Sequence, residues 1–64
     1  METTVSKLTL ADSFVFRKQK YNAAAIVESS STHTLKELWA YRVDDKGNEF
    51  GRIATFKPGT KVIV

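Results

Sequence analysis

The sequence predicts an all-β domain, interrupted by at most one short helical turn. A small, strongly bent antiparallel sheet would close on itself in the manner of SH3-like or OB-like barrels. Three observations carry this. Runs rich in strand-forming residues recur at short intervals along the 64 residues, and tight-turn chemistry separates them around residues 44–48 and at Pro58-Gly59. The three small residues Ala23, Ala24 and Ala25 suit a curved sheet, where backbones approach closely. Residues 1–64 read as a single small β domain.

In chain order, residues 5–10 (Val-Ser-Lys-Leu-Thr-Leu) alternate imperfectly, carry β-branched side chains and lack a helix cap, so they read as a first strand. Ala11, Asp12 and Ser13 form a short turn. Residues 14–21 follow; if they are extended throughout, Phe14 and Phe16 share a face with Lys18 and Lys20. Residues 17–28 also have helix propensity through the three alanines. Asn22, as a turn former, and the Ile26-Val27 pair favour a strand instead.

Residues 29–34 are Ser, Thr and His only, and read as an exposed loop. Thr34 and Glu37 then match a capping box, from which one helical turn over residues 34–37 is expected before the chain becomes extended.

Residues 38–56 read as a β-hairpin around the turn residues Asp44, Asp45 and Gly47. Cross-strand chemistry favours pairing Val43 with Asn48, which sets Arg42 opposite Glu49, Tyr41 opposite Phe50, Trp39 opposite Arg52 and Leu38 opposite Ile53. The competing register has a three-residue loop, pairs Asp44 with Asn48 and sets Arg42 beside Phe50. Pro58 and Gly59 occupy the two central positions of an expected type II turn. The last run, Lys61-Val62-Ile63-Val64, reads as a strand buried on both faces, either inside its own barrel or against a second chain.

Ten Lys and Arg against seven Asp and Glu leave a net charge of +3. This mild excess suits attraction to phosphate or to an acidic protein surface. With no cysteine there is no disulfide framework and no thiolate metal site, so a homodimer is the remaining route to extra burial for so short a chain. The chain has no apolar run of membrane-spanning length, and its start lacks the blocks of a signal peptide; a soluble cytoplasmic protein without membrane contact is expected.

Catalysis finds little support. The single histidine, His33, lies two residues after Ser31 in a loop, and nothing supplies an orienting third group or an oxyanion site. It reads as an exposed loop histidine. Asp44, Asp45, Asn48 and Glu49 crowd oxygens around a glycine, but the calcium-loop spacing is absent and turn chemistry explains them. Neither cofactor nor metal is expected.

The cluster Arg17-Lys18-Gln19-Lys20-Tyr21 is the one feature that points to a ligand. It offers cations for phosphates and a ring on which a base can stack. The expected function is therefore a non-enzymatic nucleic-acid-binding module contacting mainly the phosphate backbone. Arg17, Lys18 and Lys20 are its electrostatic contacts, Tyr21 its stacking residue, and Trp39 with Arg52 a further candidate pair. Phe50 and Phe56 read as core. A protein-interaction or regulatory module that meets an acidic partner is the alternative.

Overall fold

A computed structural model describes residues 1–32 and 34–64. Six strands form one antiparallel sheet: β1 (Glu2–Thr4), β2 (Ser13–Phe16), β3 (Gln19–Glu28), β4 (Leu35–Val43), β5 (Glu49–Phe56) and β6 (Lys61–Ile63), in the spatial order β1-β6-β2-β3-β4-β5. The all-β expectation holds, but closure does not. β1 and β5 lie at opposite ends of the order and do not pair with each other, so the sheet is open and not a barrel.

The sheet is nevertheless strongly bent. Three inter-strand steps separate β2 from β5, about 14 Å in a flat sheet. Yet the rings of Phe14 and Phe16 on β2 both meet Phe56 on β5 edge to face, with centroids 5.3 Å apart. Three register shifts accompany the bend, two in the β3–β4 ladder, between Ala23 and Ala25 and between Val27 and Glu28, and one in the β4–β5 ladder between Ala40 and Arg42. The concave face holds the core: Val5, Leu8, Phe14, Tyr21, Leu38, Ala40, Phe56 and Val62.

Several local expectations are corrected. The expected strand over residues 5–10 is instead a 3-10 turn, Val5–Lys7, preceded by β1. Tertiary hydrogen bonds decide it: the Val5 N–H donates to the Thr60 carbonyl (2.9 Å) and the Ser6 N–H to the Pro58 carbonyl (3.0 Å), which drives the Val5 side chain fully into the core. The helical turn at 34–37 does not form, because β4 is extended from Leu35 and pairs with β3 there. Residues 14–21 are not one extended run; they turn back at Arg17 and Lys18 into a two-residue hairpin, with Val15 opposite Lys20 and Phe16 opposite Gln19. Residues 19–28 are a strand and not a helix, as the sequence favours.

The favoured register of the β4–β5 hairpin is overturned in the same way. Val43 faces Glu49 and Arg42 faces Phe50, the competing register, and the Asp44 N–H donates to the Asn48 carbonyl (2.9 Å) across a three-residue loop. Gly47, at φ 84°, supplies the left-handed residue that such a loop needs. Beyond Arg42 three residues of β5, Gly51 to Ile53, oppose the single residue Tyr41. From there Ala40 faces Ala54, Trp39 faces Thr55 and Leu38 faces Phe56. Gly51 takes φ 73° in this bulge.

At 57–60 the turn closes with a hydrogen bond from the Thr60 N–H to the Lys57 carbonyl (3.1 Å), but Gly59 has no positive φ, so it is not type II. β6 is inserted between β1 and β2 of its own sheet, as one of the two expected arrangements required. Only Val62 is buried there; Ile63 and Val64 are half exposed, so burial on both faces is not found.

Candidate nucleic-acid interface

Strand alternation sorts the candidate residues onto two faces. Tyr21 is on the core face, 7% exposed, stacked on Phe14 at 5.4 Å and edge to face with Phe56 at 5.0 Å. Its ring is not offered to a base, which corrects the expected stacking role. Its burial follows from the hairpin turn at Arg17 and Lys18, which sets Tyr21 directly opposite Phe14.

The cations lie where that turn puts them. Arg17 and Lys18 are its two central residues, both at positive φ (51° and 66°), the geometry of a type I′ turn ordinarily built from Asn and Gly. Both side chains are exposed, and the Arg17 guanidinium carbon sits 5.1 Å from the centroid of the Phe16 ring. The Gln19 amide nitrogen donates to the Lys20 carbonyl and to the Val43 carbonyl, both at 3.0 Å, tying the hairpin base to β4. Lys20 is exposed on the convex face, opposite Val15 and Val43.

The β4–β5 turn lies at the same end of the sheet. A shallow open cavity of about 450 Å³ between the two turns is lined by Lys18, Lys20, Asp44, Asp45 and Phe50, among others. Asp44 serves the turn itself, its Oδ1 accepting from the Lys46 and Asn48 N–H groups, both at 2.9 Å. Among the described residues no three His, Cys, Asp or Glu side chains converge on a common point. Asp45 lines the same cavity, so acid flanks the cationic tip on the side of the β4–β5 turn. His33, and the serine–histidine reading attached to it, lies outside the described residues.

Trp39 and Tyr41 stand on the convex face of β4, alternating with the buried Leu38 and Ala40, and are 36% and 37% exposed. Trp39 is flanked across the sheet by Ala25 and Thr55, and Tyr41 on its β3 side by Asn22, so on these sides both aromatics rise above shorter neighbours. Arg52 is not opposite Trp39; the bulge carries it into the unpaired segment beside Tyr41, where it is exposed. Phe50, expected in the core, is 45% exposed at the sheet edge, whereas Phe56 is core as expected. Tyr41 is among the aromatics from which the sequence could build a base-binding sheet face but is not among the expected contact residues; its alternation with Leu38 and Ala40 along β4 is the signal that places it beside Trp39.

Among the described residues no helix is long and apolar enough to cross a membrane. No protein-family model matches this chain, and neither a curated protein nor a solved structure matches it.

Proposed function

We propose that this chain is a non-enzymatic nucleic-acid-binding module that grips the phosphate backbone with the tip of the β2–β3 hairpin. Arg17 and Lys18 are the primary contacts and Lys20 the third. The observation that carries it is the turn itself. Left-handed backbone disfavours non-glycine residues by roughly 1–2 kcal/mol each, and here two adjacent cations hold it at a position where Asn-Gly would be relaxed. Strain of that kind concentrates where a side chain has a task. The turn projects both charges beyond the sheet, as contact with a polyanion requires.

The sheet is open where SH3-like and OB-like modules are closed, so the analogy extends only to a small, strongly bent antiparallel sheet offering a surface to an oligonucleotide. On this reading the module works in the cytoplasm as a single chain, with neither metal nor cofactor.

Fluorescence anisotropy with labelled 12-nucleotide single strands and duplexes tests it at about 50 and 200 mM salt. Three phosphate contacts predict a loss of roughly 20-fold for the single strand and 40-fold for the duplex across that range. Replacing all three cations by alanine should remove most of the salt dependence. Absence of binding at the lower salt contradicts the proposal.

One observation favours the alternative of a protein-interaction module meeting an acidic partner. Phe50 and Ile53, the latter 37% exposed, stand on the edge strand β5 beside Arg52. A pull-down from nuclease-treated lysate separates the two. Retention of one stoichiometric acidic protein favours the alternative, and loss of all partners favours nucleic acid.

A further inference from the structure

We infer that Trp39 and Tyr41 form a clamp for one unpaired base, so that the polynucleotide bound is single-stranded. The inference rests on the phosphate-binding reading above and deepens it. The two residues are i and i+2 on β4, so their backbones are about 6.7 Å apart, and side chains on a strand stand roughly perpendicular to the sheet. That separation is twice the ~3.4 Å rise per nucleotide of a stacked strand. Two rings held parallel at that spacing would admit one aromatic base, with a ring above and a ring below.

The neighbours keep the gap open. Ala25 and Thr55 beside Trp39 are too short to fill it, and on the β5 side of Tyr41 the bulged segment Gly51 to Ile53 is out of ladder register, so no β5 side chain is paired with that ring. Among the described residues neither ring packs against another aromatic ring, whereas Phe14, Phe16, Tyr21 and Phe56 all do.

Polar groups at the clamp fit the rest of a nucleotide. The Ser13 hydroxyl donates to the Asn22 Oδ1 at 2.8 Å, which orients the Asn22 amide nitrogen as a donor beside Tyr41, its cross-strand partner. Lys20 lies on the same convex face, two residues from Asn22 and so on the diagonal from Tyr41, about 7–8 Å away. A base held between the rings therefore sends its chain toward Lys20 and onward to Lys18 and Arg17. A paired base presents only its edges, so a duplex reaches the cations and not the clamp. The groups assigned here are rings for the base and cations for the phosphates, neither of which distinguishes ribose from deoxyribose, so DNA and RNA strands should bind alike.

Trp39 is the only tryptophan, so its emission reports on the clamp directly. Titration with 12-nucleotide oligothymidine and oligouridine should quench it to similar extents, and a duplex of equal length should leave it nearly unchanged. Trp39→Ala and Tyr41→Ala should each weaken single-strand binding roughly 5- to 150-fold while leaving duplex binding intact. Trp39→Phe and Tyr41→Phe keep a ring and should retain most of the affinity, which separates loss of the clamp from loss of the fold. If both alanine variants bind single strands like the parent, or if a duplex quenches as strongly as a single strand, the clamp is overturned while the phosphate reading stands. If no polynucleotide binds the parent at low salt, the phosphate reading fails and the clamp with it.

Discussion

Arg17 and Lys18 show most directly how a local conformation and a function compete. Both sit at positive φ, so replacing them with Asn and Gly should relieve roughly 1–2 kcal/mol at each position. The loss of the Arg17 contact with Phe16 offsets about 0.5–1 kcal/mol of that gain. The R17N/K18G variant should therefore be more stable than the parent by about 1–3.5 kcal/mol, read as a higher urea midpoint, and should bind oligonucleotides more weakly. A lower midpoint would show that the turn is not strained. At the same scale, Tyr21 illustrates why composition misleads. A cation-rich run ending in an aromatic has the chemistry of a binding motif, but a two-residue turn inside it sends the ring inward and the cations outward.

Among the elements, β6 has the largest consequence for its size. It is three residues long, yet it pairs with β1 along its whole length and joins it to β2 through the Val15–Ile63 pair. Val62, 2% exposed, fills the core between them. Deleting residues 62–64 removes two of the three β6 residues that pair with β1 and opens the core, so the shortened chain should lose its cooperative thermal transition by circular dichroism. A retained transition near that of the parent would contradict this placement. The strands β3, β4 and β5 and the β4–β5 turn were legible because β-branched runs and turn residues mark them. The hairpin register was not, because cross-strand pairs such as Arg42–Glu49 contribute only about 0.2–1 kcal/mol each. The three-residue loop closed by Gly47, with Asp44 accepting two N–H groups, outweighs them. Gly51 was a readable sign of a bulge within a strand. The type I′ turn was not readable, since Arg-Lys carries none of the Asn-Gly signal, and the 3-10 turn, besides its own Leu8 N–H to Val5 carbonyl bond, is held by the carbonyls of Pro58 and Thr60, more than 50 residues away.

At the scale of the whole molecule, bending divides the labour between two faces. The concave face collects the interlocked rings of Phe14, Phe16, Tyr21 and Phe56, which supply much of the cohesion in a chain too short for a large core. The convex face is left to Lys20, Asn22, Trp39 and Tyr41. Each edge is blunted: β1 is only three residues long, and β5 is interrupted by the Gly51 bulge and followed by Lys57. An open sheet of this kind keeps its convex surface available without inviting strand addition. The most direct test of that division is amide chemical-shift mapping of the protein titrated with a 12-nucleotide single strand. Shifts confined to residues 17–22 and 39–41, with the β5 edge and the 29–32 loop unmoved, are what the structure predicts. Perturbations centred on Phe50, Ile53 and the β5 edge, or none at all, would contradict it.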